Sequence, residues 1–348
     1  MASNNTFINE LNKAATTQVL VHGIINLVLG AIGLVFNILV FTRPSLHREP
    51  CSVYFFWSSC FNLVIVYGIL PLRILGNGFN IDFSNRNVVL CKIEYFVNYA
   101  GRSVSIWLIV LACVDRFCHS STNAIIRRMS SLKTARWAAG VVSLIIMLSY
   151  SHMPVYYLLT YTLNQFGSIV STCNAQIGTY RTFLGFWYMA LYSLCPCFLM
   201  SLFGSLTLRN IRRHRQIVPT VAGRNQLARR TDNQLLRMLI AQVTVIIVAT
   251  LPNSIYQLYI AFTSNVLKDT LRVAQDNLAG RTVGPIMNFA HTSSFYLYTL
   301  TGTIFRKELR KIIQRCCHPT RNMSTSQHES ILMTVAPSNR KLVTQVNK

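Results

Sequence analysis

The chain has 348 residues, 51% of them hydrophobic and only 12% charged, with a formal net charge of +23. Soluble domains carry about 25% charged residues, so the composition excludes an ordinary soluble domain and points to a membrane protein. In a soluble chain so large a positive excess would suggest nucleic acid, but here it clusters between apolar runs, and no nucleic-acid partner is expected.

Seven apolar runs, at 19–41, 52–75, 91–117, 134–158, 181–208, 234–262 and 283–304, each approach or exceed the ~20 residues that cross a hydrocarbon core. The expected fold is an all-α membrane protein, a seven-transmembrane helix bundle over 19–304 with loops too short for a separate soluble domain. Residues 1–18 are polar and lack the basic start and small-residue cleavage site of a signal peptide. They are expected to form an extracellular N-terminus, with Asn4 in a glycosylation sequon, Asn4-Asn5-Thr6. Asn322-Met323-Ser324 repeats that pattern on the inner side and is expected to stay bare.

Most of the 33 Lys and Arg residues fall on alternate connections and the tail: Arg43 and Arg48, then Arg116, Arg127, Arg128, Lys133 and Arg136, then a run from Arg209 to Arg237, then Arg306 to Lys348. Basic residues favour the cytoplasmic side, which puts the N-terminus outside and the C-terminus inside a plasma membrane. The same basic face suits anionic membrane lipid. Of the ten cysteines, only Cys91 and Cys173 fall at or beyond the outer boundary. An oxidising exterior permits them to bridge, the alternative being two free thiols.

The third span acts as a ruler. From Cys91 to Arg116 a helix rises roughly 37 Å, so Arg116 reaches the inner rim when Cys91 sits at the outer one. At about 100° per residue, Asn98, Ser105 and Arg116 share one stripe, with Arg102 close to it. Polar residues on one stripe of a spanning helix face the bundle interior, so Arg116 is expected to point inward.

Cys91 followed by Asp115-Arg116-Phe117 resembles the rhodopsin-like (family 1) G-protein-coupled receptors, whose triplet is Asp-Arg-Tyr. Further motifs recur in the same order: Asn37 in GLVFNILVF, Pro196, Pro252 in ATLPNSIYQLY, and Tyr298 shortly before Phe305-Arg306. The resemblance implies a receptor that passes an extracellular signal to a heterotrimeric G protein, with no cofactor and no catalytic residue. It implies a switch made of Asp115, Arg116, Tyr298 and an acid at the base of the sixth helix. Asp232 is the acid available there; it also suits a helix N-cap. Outward movement of the sixth helix would then expose Arg116 to the G protein.

Several family positions are filled differently. Asn62 replaces the second-helix acid that holds sodium, so no sodium effect through that site is expected, although Ser105 and Ser294 remain near it. Ala249-Thr250-Leu251-Pro252 stands where the family has CWxP, and Ser294-Phe295-Tyr296-Leu297-Tyr298 where it has NPxxY. Gly204 replaces the fifth-helix Tyr, and Trp137 lies too early to be the fourth-helix Trp. A receptor-like protein with impaired or absent coupling is therefore the main alternative.

Asn98 occupies the position where amine receptors carry an Asp, which disfavours an amine ligand, and the seventh span has no Lys for a retinal Schiff base. The expected ligand pocket comprises Asn98, Arg102, Tyr256, Gln257 and Asn288, with Glu94 and Asp82 nearer the rim. Ionisable groups inside a membrane are costly and usually functional. Arg102 either holds a carboxylate or carbonyl of the ligand or is a structural pair with Glu94. The stretches EPCSVYFFWSSCFNL and QLLRMLIAQVTVIIVATLPNSIYQLY are similar in texture to invertebrate FMRFamide-type neuropeptide receptors, which favours a peptide ligand.

Beyond the seventh span, Phe305, Leu309, Ile312 and Ile313 form an apolar stripe opposite basic residues, so 305–317 is expected to be a short amphipathic eighth helix on the membrane surface. Cys316 and Cys317 are candidates for lipidation. Residues 318–348 are polar and expected to be a disordered cytoplasmic tail, with Ser324, Thr325, Ser326 and Ser330 as candidate sites for a receptor kinase and arrestin. A transporter is disfavoured by the lack of an internal repeat. An enzyme or metal site is disfavoured by the lack of HExxH, GxSxG or a His/Asp/Glu cluster; His22, His152 and His291 fall on separate spans.

Overall fold

A computed structural model describes residues 2–317 apart from residue 80 and the segments 164–168, 218–225 and 264–265; the side chains of 2–5, 162–170, 214–233 and 315–317 are also outside the description. The chain divides into two units, Met1–Phe305 and Arg306–Lys348. Among the described residues the first unit holds seven long helices. The first four are Ala2–Phe41, Pro50–Phe79, Val88–Ser120 and Leu132–Ser149. The fifth runs from Thr179–Tyr188 through Met189–Leu194 into Cys195–Ile217. The sixth is Gln226–Phe262, and the seventh is Thr270–Thr292 continued by Ser294–Thr301.

Six of these helices are long and apolar enough to cross a membrane. The seventh is less apolar because Arg272, Asp276 and Arg281 sit in its outer half and the helix breaks at Ser293.

Local chemistry explains where the elements start. Asn87 caps the third helix by accepting from the amides of Val89 and Leu90, Ser131 caps the fourth through Thr134, and Asp269 caps the seventh through Arg272. The first helix begins at Ala2, not near residue 19. No Gly or Pro interrupts it before Gly23, and the hydroxyls of Thr16 and Thr17 bond back to the carbonyls of Asn12 and Lys13. The fourth helix stops at Ser149, short of the expected 158; Pro154 follows in the short turn Met153–Tyr156.

Two π-helical segments, Ile65–Ile69 and Met189–Leu194, each stand just before a proline, Pro71 and Pro196. Proline lacks an amide hydrogen and crowds the carbonyl one turn back, so the wider π turn absorbs the mismatch. At the second of these the π partner of the Leu191 carbonyl would be the missing Pro196 N–H. Trp107 of the third helix donates its indole N–H to that carbonyl instead, at 2.8 Å.

Two strands absent from the sequence-based expectation, β1 (Tyr157–Leu163) and β2 (Ile169–Ala175), form an antiparallel hairpin with Leu159 opposite Cys173. Cys173 is disulfide-bonded to Cys91 at the start of the third helix. The Cys173 amide also donates to Asn85 Oδ1 at 2.7 Å, so the hairpin is tied down at one point by a covalent and a polar link.

The first and seventh helices approach closely because Gly30 and Gly33 leave room: a Cβ on either would meet Thr292 at 2.6 Å or Phe295 at 2.9 Å. Near the ends of these helices Phe41, Phe55, Tyr298 and Phe305 pack ring to ring at 5.1–5.8 Å, and all four are nearly inaccessible to solvent. In the second unit the helix Thr303–Cys317, which begins just before the division, carries an ion pair between Lys311 and Glu308 at 2.8 Å.

Candidate functional site

Two cavities open near the Cys91 end of the bundle, and the third helix lines both. One, of about 140 Å³, is walled by Tyr95, Tyr99, Tyr157, Tyr188, Arg181 and Gln257, with part of β2. Its aromatic rings lock one another, Tyr95 against Tyr157 at 4.4 Å and Tyr99 against Tyr188 at 4.8 Å. The other, of about 170 Å³, lies among the first, second, third and seventh helices and is lined by Asn98, Arg102, Arg73, Arg281 and Asn288 over an apolar floor. Among the described residues no carboxylate lines either cavity.

The five expected pocket residues therefore do not share one site. Asn98, Arg102 and Asn288 line the second cavity and Gln257 the first, while Tyr256 lines neither. Tyr256 donates to the Asp276 carbonyl at 2.8 Å and fills the space over Gly280, which fastens the sixth helix to the seventh. Asp276 is further held by Lys268 at 2.6 Å and the Tyr259 hydroxyl at 3.0 Å.

The pairing of Arg102 with Glu94 is contradicted. Glu94 instead pairs with Arg73 of the second helix at 3.0 Å, since two helical turns along one helix separate it too far from Arg102. Arg102 donates from Nε to Asn98 Oδ1 at 2.8 Å. Its Nη1 is buried and has no hydrogen-bond partner. Asp82, also placed near the rim, accepts from the amide and hydroxyl of Ser84.

Below Arg102 a buried polar chain crosses the bundle. The Tyr192 hydroxyl meets His291 Nε2 at 2.9 Å, and His291 Nδ1 meets Asn62 Oδ1 at 2.9 Å. This arrangement suits the Nδ1–H tautomer, with Tyr192 donating and Asn62 accepting. Beside it Ser58 and Ser105 share a hydrogen bond at 2.8 Å, and Asn37 donates to Ser294 at 2.9 Å. Residue-by-residue reading gives Asn62 and His291 as separate oddities. Their common depth in the second and seventh spans was the signal that would have joined them.

At the opposite end of the third helix, Asp115 and Arg116 are both buried. Arg116 donates through Nε at 3.1 Å and Nη2 at 2.8 Å to Asp115 Oδ2, and Ser130 donates to Asp115 Oδ1 at 2.8 Å. Asp232 lies well inside the sixth helix, so it is not that helix's N-cap; its side chain is outside the described residues, as are those of Asn4, Cys316 and Cys317. The described ties from the base of the sixth helix come from two glutamines. Gln242 accepts from the hydroxyl of Tyr298, and Gln234 Oε1 accepts from Thr303 Oγ1 and the Ile304 amide, each at 2.9 Å. Sequence reading missed both, because Gln inside a span looks like any other polar residue on an inward stripe.

The family model described as 7 transmembrane receptor (rhodopsin family) matches residues 33–279, which take in the span carrying Asp115 and Arg116 and the proline-bearing fifth and sixth helices. The match ends before Ser294–Tyr298, where the NPxxY pattern is altered. Among curated proteins, none matches the chain. With its helices, its Cys91–Cys173 bridge and this match, the chain belongs to the rhodopsin family of seven-transmembrane receptors.

Proposed function

We propose that this receptor senses an extracellular peptide and activates a heterotrimeric G protein by outward movement of the sixth helix. The observation that carries the reading is the buried Asp115–Arg116 pair at the end of the third helix remote from the two cavities. A buried arginine held by a neighbouring carboxylate is a charge that a second helix arrangement can release, and a ligand that favours that arrangement shifts the population toward it. Asp232 and Tyr298 are the further switch residues in this reading. The absence of a carboxylate from the walls of these two cavities supports a peptide over an amine. The FMRFamide-type texture of two spans supports the same class.

In the same reading the protein sits in the plasma membrane with its N-terminus outside, glycosylated at Asn4, and its C-terminus inside. The helix beyond the seventh span lies on the inner surface with Cys316 and Cys317 acylated, and the tail meets a receptor kinase and arrestin. The domain limits are 1–18, 19–304, 305–317 and 318–348.

Basal nucleotide exchange tests the reading without a ligand. With matched surface expression, Asp232→Ala is expected to raise exchange and Arg116→Ala to remove it. Flat exchange in wild type and both variants, across all G-protein types, would favour a receptor-like protein that does not couple.

Sodium provides a second check. Asn62, Ser105 and Ser294 are each engaged by a neighbouring side chain, His291, Ser58 and Asn37. Replacing sodium by choline is therefore expected to leave basal exchange unchanged, and a sodium effect that disappears in Asn62→Ala would refute this.

A further inference from the structure

We propose that the ligand of this receptor is an acid, and that its carboxylate, borne on a short apolar group, seats on Arg102 in the cavity among the first, second, third and seventh helices. The inference rests on the receptor reading above and adds the chemistry of what is recognised.

Arg102 is only 4% exposed, and its Nη1 has no hydrogen-bond partner. Its hydrogen-bonding partners are both neutral, the Asn98 amide and the Tyr192 hydroxyl. Among the described residues no carboxylate lies within ion-pair reach of it; Glu94, the nearest acid along the third helix, is taken by Arg73. A guanidinium cut off from water without a counter-ion is strongly unfavourable. An arriving anion would supply both the missing charge and the missing acceptor.

The surroundings extend the same demand. Arg73 also lines the cavity, and its Nη2 too is buried without a partner. Arg281 lines it from the seventh helix, with its Nη1 on Thr16 Oγ1 at 3.0 Å and the Asn77 carbonyl at 3.4 Å, both neutral. Glu94 offsets Arg73, which leaves Arg102 and Arg281 uncompensated. The two unfilled N–H groups belong to two arginines, Arg102 and Arg73, and each can donate to one oxygen of a carboxylate, an anion suited to guanidinium donors.

The rest of the lining sets the size and polarity of the group behind the charge. Val19, Leu70, Ile74 and Met287 make an apolar floor, and about 170 Å³ admits a carboxylate with a short aliphatic chain. The free C-terminus of a peptide ending in an aliphatic residue has this form. A C-terminal amide has not, since it brings no charge to Arg102.

N-acetylleucine and N-acetylleucinamide differ only in that charge and serve as probes for purified full-length receptor. The acid is expected to raise the unfolding midpoint by about 2 °C, as a ligand well above its dissociation constant does, and the amide to leave it unchanged. Arg102→Gln is expected to abolish the shift. Gly284→Leu is the second variant, for the case in which Arg102→Gln does not fold. Gly284 lines the cavity, and a Cβ there meets nothing within 4 Å, so this variant fills the cavity, keeps the arginine and should also abolish the shift. The proposal is overturned if acid and amide act alike, if neither acts up to its solubility limit, or if the acid's shift survives both variants. It is also overturned if sodium chloride reproduces the shift, which would mark an inorganic anion site. Basal exchange requires no ligand, so a receptor that exchanges nucleotide yet ignores the acid keeps the receptor reading and loses this one.

Discussion

Replacing Cys91 or Cys173 with serine is expected to remove most of the receptor from the cell surface. The bridge closes a loop with a sequence separation of 82 residues, for which the chain-entropy relation gives a stabilisation of roughly 4.5 kcal/mol. Domains of ordinary stability have about 5–15 kcal/mol in total, so the loss is a large fraction. The hairpin would also lose its anchor on the third helix, and Tyr157, Asn174 and Ala175, which wall the tyrosine-lined cavity, would move with it. Surface labelling against total protein is the check, with Cys60→Ser as the control, since that thiol is free and only half-buried. Wild-type surface levels in both bridge variants would contradict the estimate.

The second large effect concerns the glutamine ties. Gln242→Ala is expected to raise basal nucleotide exchange about 5- to 30-fold, because a buried hydroxyl left without its partner costs about 1–2 kcal/mol. Tyr298 and Gln242 are buried against each other, so the penalty falls on the arrangement in which the sixth helix packs on the seventh. An arrangement with the sixth helix swung out exposes the Tyr298 hydroxyl to water and escapes it. Gln234→Ala removes two acceptor contacts, to Thr303 and Ile304. The two glutamines make separate contacts some 12 Å apart along the helix, so the double variant should show the product of the two effects. Exchange that stays at the wild-type rate in Gln242→Ala, while Arg116→Ala abolishes it, would remove this tie from the switch.

The sequence made the inward stripe of the third helix legible because helical periodicity fixes which residues share a face. Ser105, Arg102 and Arg116 are buried as that stripe requires, while Asn98 is half-buried and lines a cavity. The same periodicity does not say which helix a residue faces, and there the sequence reading fell short. Glu94 meets Arg73 of the second helix and not Arg102 of its own, and Tyr256 holds the seventh helix and lines no cavity. Both outcomes depend on the relative depth and rotation of separate helices, which no single span encodes. The hairpin escaped notice because its strands follow an apolar run that reads as a continued fourth helix. The π turns escaped because Pro71 and Pro196 announce a disturbance without saying how the backbone absorbs it.

The sixth helix is expected to move outward when the receptor engages a G protein. The direct measurement is the distance between spin labels at Ile125 and Arg237, both exposed, in receptor held in lipid nanodiscs with and without nucleotide-free G protein. A second, longer distance population is expected to grow with G protein and to be missing in Arg116→Ala. A single unchanged distance in a sample where the complex has formed would contradict it.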